Sequence, residues 1–223
     1  AWTAAGPVPS TSSHTVAMSL ADPASWGVEL HSAAGLNGIT QRWADTAKTD
    51  AEKALPVILF MHGFPESWFS WRHQLKAVGA AGFRGIAPDM RGYGRSTIYK
   101  RHEDYALEKI VDDMIGLADA LNIEKAICIG HDWGAPIVNG IAQLRPDLIH
   151  KFSTASVPHG VGVQTAFLTD GDQQRKSWYM FFFQLPLAEL SVQMNEYEFI
   201  HRLWREWSPD LKDYKKYSNK VVT

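Results

Sequence analysis

The sequence of 223 residues contains a single cysteine, Cys128. One cysteine excludes an internal disulfide bond, and its place inside an apolar stretch is typical of a small core residue. No apolar run approaches the length of about 18 residues that a membrane-spanning helix needs. The formal net charge of −2 gives no reason to expect a nucleic acid as partner. With 45% hydrophobic and 21% charged residues, the composition predicts a soluble globular protein.

The first 13 residues also lack the usual targeting features. They contain no arginine and no apolar core of about 7–15 residues, so they match neither a transit peptide nor a signal peptide. The sequence starts at Ala1 rather than at a methionine. The sequence leaves the compartment open between the cytoplasm and an organelle, the latter after removal of a targeting segment.

Strand-like and helix-like patterns alternate through the middle of the chain. Apolar runs of strand length occupy Pro56–Met61, Phe83–Pro88, the stretch from Ala126 and Ile149–Ser156, and helical spacing follows the first three. This alternation predicts right-handed crossovers and a mostly parallel sheet with helices on both faces. The looser alternation of His14–Leu20 and Gly38–Trp43 predicts two antiparallel strands ahead of that sheet.

The pattern divides the chain into three predicted regions. They are an N-terminal tail with the first strand (1–37), an α/β core (38–158) and an aromatic-rich helical cap or lid (159–223). A helical insert at this position is expected above the carboxyl ends of the strands, where ligands bind in open α/β sheets. Its many aromatic residues favour a small apolar ligand.

The most informative stretch is Gly130-His131-Asp132-Trp133-Gly134, which ends an apolar strand and begins a helix. The flanking glycines allow strand and helix to approach closely and leave Asp132 exposed at a sharp turn. This pattern is typical of a nucleophile elbow, which usually presents serine. The simpler alternative is that Asp132 only caps the helix that follows it.

An aspartate at such an elbow changes the expected reaction. An ionised carboxylate needs no base to act as a nucleophile. Its attack on an acyl group would give a reactive anhydride, whereas its attack on a saturated carbon gives an ordinary ester. The residue therefore favours displacement at an alkyl carbon, as in opening an epoxide or expelling a halide.

Three motifs in this order resemble those of the α/β-hydrolase superfamily, and within it the epoxide hydrolases. The motifs are His62-Gly63-Phe64-Pro65-Glu66-Ser67-Trp68, Asp89-Met90-Arg91-Gly92-Tyr93-Gly94-Arg95-Ser96 and Gly130-His131-Asp132-Trp133-Gly134. Each lies at a predicted strand–helix junction, and the resemblance extends from about residue 38 to residue 210. It implies an α/β-hydrolase fold with a cap.

The resemblance also implies roles for individual residues. Asp132 matches the nucleophile, and the backbone N–H groups of Phe64 and Trp133 match the oxyanion hole. Tyr179, after Trp178, matches a cap tyrosine that protonates the epoxide oxygen. A cis bond is implied between Phe64 and Pro65. The residues that support these motifs are His62, Gly63, Pro65, Gly130, His131 and Gly134. No cofactor and no metal ion are implied.

The sequence departs from the family pattern beyond the cap. The last histidine is His201, so no match to the water-activating histidine after the last strand is present, nor to its partner acid. Tyr214 and Tyr217 do not match the segment of the second cap tyrosine. The stretch after the fourth parallel strand carries no acid, and its His159 is a weak candidate for a substitute base. The strands and helix that complete the fold are missing from these residues.

Three functions remain open from the sequence. The first is an epoxide hydrolase-like protein that opens a small apolar epoxide on Asp132 without efficient turnover by these residues alone. The second is an inactive structural or binding subunit, whose incomplete sheet would need a partner chain to cover it. The third is a haloalkane dehalogenase with Trp133 as a halide donor, although Phe64 offers no second donor.

Overall fold

The structure, a computed structural model, describes residues 22–215 and residue 218. In that part of the chain, six strands form one sheet in the order β1-β2-β4-β3-β5-β6. The strands are β1 (Glu29–Leu36), β2 (Ile39–Asp45), β3 (Val57–Met61), β4 (Arg84–Asp89), β5 (Ala126–His131) and β6 (Ile149–Ala155). The helices are α1 (Asp50–Lys53), α2 (Arg72–Ala80), α3 (Leu107–Ala120), α4 (Gly134–Leu144), α5 (Gly160–Thr169), α6 (Gly171–Lys176), α7 (Trp178–Phe182) and α8 (Ala188–Trp207).

The predicted parallel sheet is confirmed for its central part. Strands β4, β3, β5 and β6 are parallel neighbours, whereas β2 is antiparallel to both β1 and β4. Met61 at the end of β3 lies opposite Gly130 near the end of β5. The loops that follow these two strands therefore meet at the carboxyl edge of the sheet, where ligands bind in this architecture.

Helices cover both faces of the sheet because the central strands are apolar on both faces. In β3, Leu59 and Met61 pack with side chains of α3 and α4, whereas Ile58 and Phe60 pack with Leu75 of α2 on the opposite face. Alternate residues of a strand point to opposite faces, so one short run contributes to two cores. Each fully buried side chain of this kind contributes about 1.5–3 kcal/mol.

Helices α5 to α8, here called the cap, follow β6 without further described strands. One ring contact joins the cap to the core loops, between Phe64 and Phe183 with centroids 5.1 Å apart. Helix α8 is interrupted at Met194–Tyr197, where Asn195, Glu196 and Tyr197 have positive φ. No helix among the described residues has the length and apolar character needed to cross a bilayer.

The first strand differs from its prediction. The predicted strand His14–Leu20 lies outside the described residues, and β1 instead occupies Glu29–Leu36. This strand lies at the sheet edge and none of its residues is fully buried, so its sequence lacks the apolar alternation that identifies a half-buried strand. The antiparallel partner predicted at Gly38–Trp43 corresponds to β2, which is largely buried.

Candidate active site

Asp132 lies in the turn between β5 and α4, with a left-handed φ of 52°. A side-chain carbon on Gly130 would collide with the backbone of Gly134, and one on Gly134 would collide with the carbonyl of Met61. The carbonyl of Asp132 accepts a 3.0 Å hydrogen bond from the N–H of Ala135. Close approach of three backbone segments therefore holds Asp132 in a conformation that few side-chain-bearing residues adopt.

The Asp132 carboxylate lies against the loop that follows β3. Its Oδ1 accepts a 2.8 Å hydrogen bond from the N–H of Phe64, and the N–H of Trp133 also stabilises it. Burial raises the pKa of Asp132, and these two N–H groups partly offset the effect. The bond between Phe64 and Pro65 is cis. The structure thus brings the two predicted oxyanion-hole donors to the predicted nucleophile.

His62 is a structural link rather than a candidate base. Its Nε2 accepts a hydrogen bond from the N–H of Met90 at 3.1 Å, so its Nδ1 carries the proton and donates to the Gly63 carbonyl at 2.9 Å. The side chain is fully buried, and burial lowers its pKa. A neutral imidazole therefore connects the loop after β3 with the loop after β4.

The second motif organises the loop after β4. The N–H of Trp68 donates to Asp89 at 2.9 Å, which joins this loop to the first motif. Arg91 forms a buried two-point ion pair with Asp113 of α3, with both contacts at 2.6 Å. The buried charges of Asp89 and Arg91 in this loop are therefore each compensated by a hydrogen bond or an ion pair.

Glu66 and His131 form a pair beside the nucleophile that the sequence analysis did not predict. The Nδ1 of His131 lies 3.4 Å from Oε2 of Glu66. This hydrogen bond raises the pKa of His131, while burial opposes it. Burial raises the pKa of Glu66, but His131, His62 and the Gly63 N–H together outweigh that effect and leave the pKa lowered.

A cavity of about 510 Å³ lies between the core loops and the cap. Its described lining comprises Phe64, Pro65, Glu66, His131, Asp132, Ser156, Gln173, Lys176, Ser177, Tyr179, Trp204, Trp207 and Ser208. Trp133 and His159 do not belong to this lining. The aromatic residues of the cap favoured an apolar ligand, yet polar and charged side chains form much of the cavity wall. Apart from His131 and Asp132, which the elbow motif identified, these polar residues come from segments far apart in the sequence, so no local pattern places them together.

Tyr179 lies in the same cavity as Asp132. Its ring packs against Trp207 and Phe183, at centroid distances of 4.9 Å and 6.3 Å. Burial raises the pKa of the Tyr179 phenol, and the charge of Asp132 adds to the effect. The phenol therefore lies within electrostatic range of the carboxylate.

The other candidates named from the sequence lie elsewhere. His159 is exposed ahead of α5, and His201 makes a 2.7 Å contact with Ser218. Tyr214 does not line the cavity, and Tyr217 lies outside the described residues. Within residues 22–215 and 218, no group of three or more His, Cys, Asp or Glu side chains could hold a metal ion.

A doubly covered parallel sheet, a strained residue at a strand–helix turn and N–H donors aimed at it define a hydrolase-type α/β protein. Residues 56–197 match the family model described as the alpha/beta hydrolase fold, and the chain belongs to this family.

Its relatives make the assignment more specific. The chain is 39% identical over 163 residues to the AB hydrolase superfamily protein YfhM of Bacillus subtilis, covering 73% of this chain and 56% of the relative. It is 46% identical over 103 residues to Epoxide hydrolase B of Mycobacterium tuberculosis, covering 46% of this chain and 29% of the relative.

The solved structures agree with the sequence relatives. The structure of the epoxide hydrolase VrEH1 from Vigna radiata matches with a TM-score of 0.66 and 29% identity, covering 82% of this chain and 55% of that chain. The chain is thus an epoxide hydrolase-like member of the α/β-hydrolase family. It spans about half or less of the length of each of these relatives.

Proposed function

We propose that this chain carries an epoxide-opening site at which Asp132 forms a covalent alkyl ester. The observation that carries the proposal is the Asp132 carboxylate itself, held by the Phe64 N–H at 2.8 Å and facing a cavity that Tyr179 also lines. An anionic nucleophile, donors for one of its oxygens and a phenol in one cavity are the groups that epoxide opening requires.

In the first step, the free carboxylate oxygen of Asp132 attacks a carbon of the epoxide ring. The carbon–oxygen bond of the ring breaks, and its electron pair stays on the oxygen. Tyr179 donates its phenolic proton to that oxygen, and the resulting phenolate regains a proton from water. The products are a hydroxyalkyl ester on Asp132, an unchanged tyrosine and a hydroxide ion, which neutralises the proton released in the second step.

In the second step, water attacks the carbonyl carbon of the ester, releases the diol and restores the carboxylate. The N–H groups of Phe64 and Trp133 stabilise the negative charge on the carbonyl oxygen. The step also requires a base that takes a proton from water. Among the described residues, His131 is the one histidine that lines the cavity, with its Nδ1 held by Glu66. No residue of the sequence matches the water-activating histidine of the family, so we expect the ester to accumulate on this chain.

The test is incubation with styrene oxide followed by intact-mass measurement and peptide mapping. The expected result is a mass increase equal to that of the epoxide, located at Asp132, with little diol released. Asp132→Asn should abolish the adduct. Asp147→Asn, which changes an exposed carboxylate outside the cavity, is the matched control and should keep it. Labelling spread over surface carboxylates would contradict the proposal.

The structural-subunit alternative rests on the exposed side of β6. In the described part of the chain β6 is an edge strand, with Phe152 52% exposed, and Leu144 of the neighbouring helix 59% exposed. An open strand edge with apolar side chains favours coverage by further polypeptide. We propose that such polypeptide, from the same protein or a partner, packs here. The absence of any Asp132 adduct would favour this alternative.

The dehalogenase alternative is less well supported. The two positions expected to hold the halide do not supply donors to the cavity, because Trp133 does not line it and Phe64 has no side-chain donor. Chloride release from a chloroalkane at a rate matching ester formation would favour it over epoxide opening.

A further inference from the structure

The sequence contains two Asn-Gly pairs, and the fold places them in different surroundings. Asn37-Gly38 forms the turn between β1 and β2, whereas Asn139-Gly140 lies in the interior of α4. An Asn-Gly pair can react with itself, because glycine has no side chain to shield its backbone nitrogen from the side-chain carbonyl carbon of the asparagine. The reaction needs a backbone that is free to bring these two atoms together, so the surroundings decide which pair reacts.

The Asn37-Gly38 turn is held by few contacts. Both residues are exposed and have positive φ, 48° and 78°, as expected for a two-residue hairpin turn. The Gly38 N–H donates only a long hydrogen bond of 3.4 Å, to the carbonyl of Gly35. The turn also follows the edge strand of the described sheet. Exposed backbone hydrogen bonds and few buried apolar contacts are the features of segments that open locally at low cost in free energy.

The Asn139-Gly140 pair is held much more firmly. Its backbone belongs to the regular hydrogen-bond pattern of α4, well inside both ends of the helix. Gly140 packs against Val111 of α3 so closely that an added side-chain carbon would collide with it. Attack by the Gly140 nitrogen would break a helical hydrogen bond and disturb this contact. The chain therefore contains its own control for a reaction at Asn37.

The side chain of Asn37 contacts a buried ion pair. Its Nδ2 donates a 2.8 Å hydrogen bond to Oδ1 of Asp113, the same oxygen that accepts from Nη2 of Arg91 at 2.6 Å. Asp113 is 1% exposed, so its charge depends on these donors. Arg91 lies in the loop after β4 and also donates to the Asp104 carbonyl at 2.6 Å. The hairpin turn is therefore connected to a loop at the carboxyl edge of the sheet.

We propose that Asn37 is a site of spontaneous deamidation, and that the product carboxylate weakens the Arg91–Asp113 pair. Hydroxide removes the proton of the Gly38 nitrogen, which attacks the side-chain carbonyl carbon of Asn37. The bond from that carbon to Nδ2 breaks, and ammonia leaves with a proton from water, which restores the hydroxide. The remaining succinimide ring is opened by water at either of its carbonyl carbons, which gives aspartate or isoaspartate. The net reaction consumes one water and releases one ammonia.

The modification replaces a hydrogen-bond donor beside Asp113 with an acceptor. At neutral pH the new carboxylate at position 37 cannot donate to Asp113, and its charge repels the Asp113 carboxylate. It also competes for the guanidinium of Arg91. The isoaspartate form adds a carbon atom to the main chain of the turn, which disturbs the register of β1 with β2. Deamidation of the turn therefore affects the loop that carries the second motif.

The test is incubation of the folded chain in mildly alkaline buffer, followed by peptide mapping and by labelling with an isoaspartyl methyltransferase. The Asn37 peptide should exchange NH2 for OH and appear as two isomers. It should convert about ten-fold faster or more than the Asn139 peptide, the ratio given by an opening free energy lower by about 1.4 kcal/mol. In the chain unfolded by urea, the two pairs should convert at similar rates. Equal rates in the folded chain, or no conversion at Asn37, would overturn the proposal.

A second measurement tests the link between the turn and the ion pair. Asn37→Asp reproduces the charged product, whereas Asn37→Gly removes the donor without adding a charge and tolerates the positive φ. Asn37→Asp should unfold at a lower urea concentration than Asn37→Gly. This difference should disappear when Arg91→Met and Asp113→Leu are also present, because the buried pair is then absent. Equal stability of the two variants at position 37, or a difference that persists without the pair, would overturn the link.

Discussion

The Phe64 N–H donates to Oδ1 of Asp132 before any substrate is present. Oδ1 is thereby held by a hydrogen bond, and Oδ2 is the oxygen that would attack the epoxide in the proposed reaction. In an ester formed by that attack, the oxygen beside Phe64 becomes the carbonyl oxygen, on which negative charge develops when water adds. In the proposed mechanism, the N–H groups that the second step needs therefore also orient the nucleophile in the first step.

Asp132→Asn should raise the free energy of unfolding near pH 7. Burial raises the pKa of Asp132 in the folded state, so the folded protein favours the neutral carboxyl more than the unfolded chain does. The penalty for the charged form therefore grows as the pH rises above the ordinary value of 3.8. Urea unfolding across a pH series should show the gain shrinking as the pH falls toward that value.

The control variant for this pH dependence should change the free energy of unfolding in the opposite direction. Arg145 lowers the pKa of Asp147, so Asp147→Asn should lower stability near pH 7. Its effect should also fade as the pH falls. If Asp132→Asn instead destabilises the protein near pH 7, the hydrogen bonds from Phe64 and Trp133 outweigh the cost of burying the charge.

Tyr179→Phe should slow ester formation on Asp132 by about 10²-fold or more, the usual cost of removing a general acid. The change keeps the ring that packs on Trp207 and Phe183, so the cap should remain folded. The measurement is the single-turnover rate by intact mass. Tyr214→Phe, outside the described cavity lining, should leave the rate unchanged; an equal loss there would assign the proton donor to another tyrosine.

Gly134→Ala should cost about 1–3 kcal/mol of stability, the usual range for overpacking. An added Cβ would collide with the carbonyl of Met61, and neither backbone can yield without moving the elbow. Gly171→Ala is a close control, since Gly171 also begins a helix but has open space at that position. Urea unfolding should show no loss for this control. A neutral Gly134→Ala variant would mean that β3 and α4 can separate.

Arg91→Met should lower stability by about 3–5 kcal/mol, since it leaves the buried carboxylate of Asp113 without its partner. Adding Asp113→Leu should recover most of the loss, because the uncompensated charge is then gone. Arg101→Met, which breaks an exposed pair with Glu103, should change stability by less than about 1 kcal/mol. Thermal unfolding of the four proteins tests this, and no recovery in the double variant would contradict it.

The sequence predicted the elements whose signals are local. Continuous apolar runs predicted β3 to β6, and the glycine spacing around Asp132 predicted the elbow, because close backbone contacts require glycine at those positions. Strand β1 was missed because an exposed edge strand has no apolar face. The Glu66–His131 pair and the cavity depend on how the loops and the cap meet, and no periodicity along the chain records such long-range contacts.

The turn at Asp132 also bears on how such proteins diversify. Gly130, Gly134 and the Met61 carbonyl fix the place of the Asp132 side chain, and none of them takes part in the proposed bond making. The side chain at position 132 and the contacts that position it are thus provided by different residues. A substitution at position 132 therefore changes the chemical group without changing the residues that hold the turn. Aspartate tolerates the left-handed backbone better than most residues. The left-handed backbone at position 132 therefore restricts which residues can replace the aspartate.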